Sequence, residues 1–216
     1  MKYNLKPFKF SSHDKIINLV DKNKKVLDIG CASGYLASFL KEKGCVVDGV
    51  DTDEELIKIA KKYCNAYILD ISKDNVVGKY DIIILGDILE HLENPDKVLL
   101  SLKENLNDDG YIIISIPNIA NIYPRLKILF GNFDYEEIGI FDKTHLRFFT
   151  RKSFKELIKN TGYKIEKLEY TPIPIYLKFP NIPKLFLNPI YYLLYILAIC
   201  WPTMFAYQFV VKIKAK

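Results

Sequence analysis

This chain is short of several residues and patterns. Its 216 residues include four cysteines, three histidines, two methionines and one tryptophan. The cysteines (Cys31, Cys45, Cys64, Cys200) are widely spaced and form no C-x-x-C pair. A disulfide scaffold or zinc ribbon is therefore not expected, and a reducing compartment fits. The longest unbroken apolar run, Ile190–Trp201, is 12 residues, well under the roughly 20 needed to span a bilayer. The opening MKYNLKPFKFSSHDKI lacks an apolar core segment, so no secretory signal is expected. There is no internal repeat and no low-complexity linker. No His/Asp/Glu spacing resembles a metal triad, although Glu90 stands beside His91, so no metal is expected.

What is present is a globular composition, 50% hydrophobic and 26% charged, which excludes disorder, collagen and coiled coil as the main architecture. The length fits one domain over residues 1–216. The net charge of +5 is unevenly spread: residues 151–216 carry 11 Lys/Arg and 3 Asp/Glu, the first 150 carry 20 and 23. That asymmetry points to a basic region facing something anionic, with compositional drift as the bland alternative.

Two periods alternate through the first two-thirds. Val26–Ile29, Val46–Val50, Tyr67–Ile71, Ile82–Leu85 and Tyr111–Ile116 are short runs rich in β-branched residues, suited to strands buried on both faces. Between them lie helical patterns, such as Leu56, Ile59, Ala60 and Tyr63, or the leucines after Asn94-Pro95. Strands alternating with helices predict a doubly wound sheet. Residues 119–150 are aromatic and irregular. A helix is then expected from an N-cap at Thr150 to a C-cap at Gly162, followed by strands over Tyr163–Tyr170 and Phe205–Lys214.

The strongest signal is Val26-Leu-Asp-Ile-Gly-Cys-Ala-Ser-Gly-Tyr-Leu36, a strand, a tight turn and a helix. Gly30 and Gly34 would let the backbone turn and approach a ligand. Acids recur near strand ends at Asp51, Asp70 and Asp87. Asp51 lies near the offset of about 20 residues expected for a ribose-binding carboxylate. The G-x-G-x-x-G frame of a dinucleotide site is not met, and no Lys-Ser/Thr pair makes a phosphate loop. Such a turn fits a nucleoside cofactor without phosphate.

LDIGCASG resembles the first motif of class I S-adenosylmethionine-dependent methyltransferases, with Ala32 where that family has its central glycine. GDILEHLENPDKVL with NLNDDGYIIISIPN resembles the fourth- and fifth-strand region of the ubiquinone-biosynthesis-like branch, and FDKTHLRFFT resembles a segment of methyltransferases associated with polysaccharide gene clusters. The resemblance covers about residues 20–170. It implies an α/β, Rossmann-like, doubly wound sheet of seven mostly parallel strands with an antiparallel last strand. It also implies S-adenosylmethionine as cofactor. Residues 1–24 would form an N-terminal helix or lid, 25–118 the cofactor-binding core and 119–150 the acceptor-site segment. Asp28 would face the cofactor's amino-acid end, with Gly30 and Gly34 under it. Asp51 would hold the ribose, Asp70 with the Ile71 backbone the adenine, and Asp87 would stand near the methionine end. The plainer alternatives are a turn cap for Asp28, an exposed loop acid for Asp51 and a helix cap for Asp70.

His145 is the first candidate for a general base, following Asp142, which could orient it and raise its basicity. His91 is the second. Each could equally hold a loop or turn in place. His13 is assigned to structure or the lid. The aromatics Tyr123, Phe130, Phe133, Tyr135, Phe141, Phe148 and Phe149 suggest an apolar acceptor pocket.

Lys184 and Lys212 bracket 27 uncharged residues. Residues 172–203 form an apolar insertion between the last two strands, so both its ends belong to one domain and a single membrane crossing does not fit. The expectation is a membrane-facing helix flanked by Lys178, Lys184, Lys212, Lys214 and Lys216 on an anionic surface; a substrate lid, a dimer interface or a C-terminal anchor are the alternatives. The reading is an O-methyltransferase for a small-molecule or lipid-linked acceptor (a glycolipid sugar or a prenylated ring), cytoplasmic and peripheral on the inner membrane face. A small-molecule enzyme without membrane contact and a non-catalytic scaffold remain open. Nucleic acid is not expected as a partner, since no Asn-Pro-Pro-Tyr-like motif follows the fourth strand. The oligomeric state is not legible.

Overall fold

The computed structural model describes residues 8–216, so residues 1–7 of the expected N-terminal segment lie outside the described residues. Seven strands form one sheet in the order β3-β2-β1-β4-β5-β7-β6. These are β1 (Lys25–Ile29), β2 (Val46–Asp51), β3 (Asn65–Ile68), β4 (Tyr80–Gly86), β5 (Leu106–Pro117), β6 (Tyr163–Tyr170) and β7 (Gln208–Ala215). The first five pair in parallel, and β7 runs antiparallel to both β5 and β6.

Alternation along each central strand sends neighbouring residues to opposite faces. Val26, Ile82, Ile84 and Ile113 therefore join one core cluster with Ile16 and Leu19 of α1 (Ser12–Leu19) and with Leu36 and Leu40 of α2 (Tyr35–Glu42). Leu27, Ile83, Leu85, Ile112 and Ile114 join the other, with Val98 and Leu99 of α4 (Pro95–Ser101) and Phe154 and Ile158 of α6 (Arg151–Asn160). Helices thus cover both faces, and α3 (Glu54–Ala60) connects β2 to β3. The order of strands reverses between β1 and β4. In such sheets the crevice at that switch point takes the ligand, at the carboxyl ends of the strands.

The expected elements stand with shifts. α6 begins after Thr150, whose hydroxyl accepts from Ser153 N while Ser153 reaches back to the Thr150 amide. Its C-cap is Thr161, with Gly162 one residue beyond in the left-handed region. The third strand is Asn65–Ile68 rather than Tyr67–Ile71, because Asp70 starts a tight turn held by its own side chain. The last strand starts at Gln208 rather than Phe205, since a short helix, α9 (Pro202–Phe205), precedes it.

Residues 119–150 carry α5 (Ile122–Leu129) and a chain of turns. The insertion between β6 and β7 is helical: α7 (Ile175–Lys178), α8 (Lys184–Cys200) and α9. α8 is 17 residues long and contains Pro189. Pro189 falls in the second turn, where its missing N–H leaves the Leu185 carbonyl without its intrahelical partner.

Candidate active site

The turn after β1 is built from backbone bonds to the next strand. The amides of Gly30 and Cys31 both donate to Val50 O, at 2.8 and 3.0 Å, and Gly34 N closes the turn on Cys31 O at 2.8 Å. Gly30 and Gly34 have φ of +74° and +77°, a conformation that costs glycine nothing. Their lack of a side chain also serves packing. A Cβ on Gly30 would collide with Ile88, and one on Gly34 would lie 3.1 Å from Ala60 Cα. Ala32 has φ of +46°, so the residue that departs from the motif sits in a left-handed conformation that disfavours it.

Asp51 organises this turn. One carboxylate oxygen accepts from Ala32 N at 2.8 Å and the other from Asp53 N at 3.0 Å. A carboxylate offers about four acceptor positions, so capacity for ribose hydroxyls remains. Asp28 is buried, its Oδ2 has no hydrogen-bond partner among the described residues, and burial followed by the Asp51 charge pushes its carboxyl up to about 7. Gly34 precedes α2 as its N-cap, so the helix dipole at that end favours negative charge. A buried acid beside the start of a helix suits a ligand with a cationic amine and a carboxylate on one carbon.

Asp70 lies near the end of β3, as expected. Its carboxylate accepts from Ser72 N (3.0 Å), Ser72 Oγ (2.6 Å) and Lys73 Nζ (2.7 Å). Those bonds, the Lys73 one first, pull its carboxyl down to about 2. Its side chain therefore caps a turn, and Ile71 beside it is half-buried against the core.

Asp87, directly after β4, has φ of +55°. Its two oxygens are held by Ser115 Oγ on β5 at 2.7 Å and Gln208 Nε2 on β7 at 2.8 Å. Such a strained, braced carboxylate at a strand end is typical of a functional position. Neither Ser115 nor Gln208 was marked by the sequence, because each is a lone polar residue inside an apolar strand. His13 also comes close: its ring packs edge-on to Tyr35 at 5.0 Å, burial lowers its basicity, and the Asp87 charge raises it.

His91 and His145 meet. Leu146 N and Arg147 N both donate to Glu90 O, at 2.9 and 3.0 Å, and Arg147 Nη2 donates to Glu93 O at 2.6 Å. These bonds dock the post-β5 segment on the turn after β4 and bring the two imidazole centroids to 4.8 Å. His145 Nδ1 lies 3.2 Å from Ile140 O, and His91 Nδ1 lies 3.2 Å from Thr144 O. A carbonyl only accepts, so each Nδ1 carries a proton. Burial, then the His91 charge, lower the basicity of His145. Asp142 does not bond His145 as expected. Its Oδ1 is taken by Thr144 N (2.8 Å) and Thr144 Oγ1 (2.6 Å), so it acts on His145 only through its charge.

Glu90 stood out in the sequence only as the neighbour of His91. It is buried, both carboxylate oxygens lack a partner among the described residues, and burial followed by the Asp87 charge raises its carboxyl well above the usual range. Donor atoms of Glu90, His91 and His145 lie within 4.8 Å of one another. Around them, Phe133 packs on Phe141 (5.0 Å) and Phe148 (6.1 Å), and Phe148 on His145 (6.2 Å).

A family model for a methyltransferase domain matches residues 6–168. This chain belongs to that family. Its domain is of the class I, S-adenosylmethionine-dependent kind. The ubiquinone biosynthesis O-methyltransferase of Glaesserella parasuis is 32% identical over 108 residues, 44% of this chain and 46% of that protein. The enzyme of that name from Shewanella halifaxensis is 26% identical over 138 residues, 60% of this chain and 58% of that protein. The chain thus spans about half the length of the curated relatives it matches. Among solved structures, a SAM-dependent methyltransferase from Archaeoglobus fulgidus superposes with a TM-score of 0.64 at 21% identity, covering 93% of this chain and 90% of that one. A possible histamine N-methyltransferase from Thermotoga maritima gives 0.66 at 16%, covering 95% and 88%. Both share the fold of this methyltransferase domain.

Proposed function

We propose that this methyltransferase transfers a methyl group to a hydroxyl of an amphipathic or lipid-linked acceptor, with His145 as general base. The observation that carries this reading is the His91–His145 pair, two imidazoles whose Nδ1 atoms lie on backbone carbonyls beside an aromatic cluster. When bound, S-adenosylmethionine supplies a methyl group on a sulfonium that is already a good leaving group. The chain's own task is then mostly placement, worth on the order of 7–11 kcal/mol. The Gly30–Gly34 turn and Asp51 orient one partner, and the exposed Phe133 and Phe148, backed by the buried Phe141, seat the apolar part of the other. His145 Nε2 takes the proton that the acceptor hydroxyl gives up, a contribution of roughly 10²- to 10⁴-fold. The test is transfer of labelled methyl from S-adenosylmethionine to extracted lipids and to water-soluble phenols. Label appearing only in the water-soluble acceptors would sink the lipid-linked part.

The membrane part rests on α8. Leu187, Tyr191 and Ala198 face inward. The opposite face is also apolar and exposed, including Leu185 (76%), Phe186 (65%), Leu193 (56%), Ile196 (55%) and Trp201 (57%). A helix apolar all round but covered on one side calls for a partner. No Asp or Glu follows Glu169 in the chain, and Lys178 and Lys184 flank the helix. Lys212 and Lys214, expected to join them, are instead paired on β7 with Glu166 and Asp109. The surface that fits is the headgroup region of an anionic bilayer. Among the described residues no helix is long and apolar enough to cross a membrane. Flotation with anionic and with zwitterionic vesicles tests this; protein left at the bottom with both would contradict it.

A second reading is favoured by the orphaned Glu90 carboxylate. Glu90, His91 and His145 together are a donor set suited to a divalent transition metal. A cation held there would lower the pKa of an acceptor hydroxyl and keep Glu90 ionised. Metal content of the purified protein, and a melting-temperature rise on adding zinc or manganese that Glu90→Gln abolishes, decide between the readings.

A further inference from the structure

We propose that Cys31 and Cys64 form a dithiol modification site whose oxidation to a disulfide disables the cofactor turn. This rests on the assignment of the Gly30–Gly34 turn to S-adenosylmethionine. Both thiols are free in the structure, Cys31 buried and Cys64 half-buried. Their sulfurs converge on one small space beside β2. A Cβ built on Gly49 would lie 2.9 Å from Cys31 Sγ and 3.0 Å from Cys64 Sγ. Glycine at position 49 is what leaves room for both sulfurs in that space.

The two cysteines belong to parts that already touch. Cys31 is in the turn itself, its amide on Val50 O and its carbonyl receiving Gly34 N. Cys64 is in the connection between α3 and β3, where its Sγ donates to Ala60 O at 3.5 Å. Ala60 is the residue that Gly34 presses against. The thiols are unequal. Contact with Cys64, followed by burial, pushes the Cys31 thiol up, and the same contact lowers that of Cys64. Cys64, also the more accessible, is the attacking group.

The chemistry balances with a small disulfide such as oxidised glutathione as oxidant. The Cys64 thiolate attacks one of its sulfurs and releases one thiolate. The Cys31 sulfur then attacks Cys64 Sγ in the mixed disulfide, and its proton leaves with the second glutathione thiol. Two protein thiols are oxidised and one disulfide is reduced. An S–S bond is only about 2.05 Å long and demands a set dihedral, so Cys31 must be drawn towards Cys64. That pull acts on the residue next to Ala32, whose amide bond to Asp51 holds the turn. By linkage, a disulfide that weakens cofactor binding is itself opposed by bound cofactor.

The test uses the full chain carrying Cys200→Ser, which removes the exposed thiol. It is oxidised with glutathione disulfide, its remaining thiols are blocked, and its peptides are mapped by mass spectrometry. The expected result is a Cys31–Cys64 cross-link, S-adenosylmethionine affinity reduced at least about tenfold, recovery with dithiothreitol, and slower cross-linking when the cofactor is present. Adding Cys64→Ser should abolish both the cross-link and the sensitivity of affinity to oxidant. No Cys31–Cys64 link after exhaustive oxidation would overturn the proposal. So would a linked protein with an affinity loss under about tenfold. Absence of cofactor binding to the reduced protein would instead refute the cofactor assignment, and it is read before any oxidant is added.

Discussion

His91 and His145 meet edge to face with ring centroids 4.8 Å apart, although one follows β4 and the other lies beyond β5 and α5. Their juxtaposition depends on Glu90, whose carbonyl takes two amides from residues 146 and 147. The backbone of Glu90 thus builds the site, and its buried carboxylate faces into it. Replacing His145 with Asn should keep the fold and the cofactor affinity. It should lower kcat by about 10²- to 10⁴-fold, measured as methyl release with the best acceptor found. A variant with unchanged kcat would remove His145 as the base.

The same pair sets a pH dependence. Burial and the His91 charge lower the His145 pKa in the fold. A base must be unprotonated, so kcat/KM should rise with pH and level off below the ordinary imidazole value near 6.5. For stability, a depressed histidine pKa means its contribution is full above the unfolded value. That contribution is lost as pH falls through the folded one. An inflection above 6.5 would contradict the burial argument.

Asp28 titrates in the opposite sense. Its folded pKa is raised to about 7, above the unfolded carboxyl value of about 3.9. Its contribution is therefore complete below the unfolded value and is lost as pH rises through about 7. Asp28→Asn should accordingly gain stability over the parent at pH 8, on the order of 1–3 kcal/mol, and lose that advantage below pH ~4. Denaturant unfolding at both pH values checks this. Saturating S-adenosylmethionine should reduce the gain, because a ligand amine satisfies the ionised form.

Ala32 pays a conformational cost that glycine would not. With φ of +46°, Ala32→Gly should raise stability by roughly 1 kcal/mol, seen as a higher melting temperature without loss of cofactor affinity. A lower melting temperature would mean that the alanine methyl group packs better than its backbone suffers.

Much of this architecture was legible because it depends on period and punctuation. The strand runs at Val26–Ile29 and Ile82–Leu85 alternate between two core clusters, and Thr150 before an apolar helix pattern marks its cap. The tight turn after β1 was legible from Gly30 and Gly34, both of which take positive φ. A carboxylate at a strand end reads the same whether it meets a ligand or holds a turn, so the bonds of Asp70 to Ser72 and Lys73 were not legible. Glu90 was visible only as the neighbour of His91, because burial decides its chemistry and burial of a single turn residue has no sequence signal.

The exposed face of α8 gives a separable prediction. Leu185→Ser with Phe186→Ser removes two side chains that are 76% and 65% exposed, so the melting temperature should hold within a degree or two while vesicle binding falls several-fold. Equal flotation of the double variant would move the membrane surface elsewhere.

Calorimetry with S-adenosylmethionine tests the central claim most directly. The account predicts saturable binding at one site per chain, and loss of that binding in Asp51→Ala. The variant must still unfold cooperatively for the comparison to count. No binding by the folded parent chain would contradict the account, as would the same binding isotherm from Asp51→Ala.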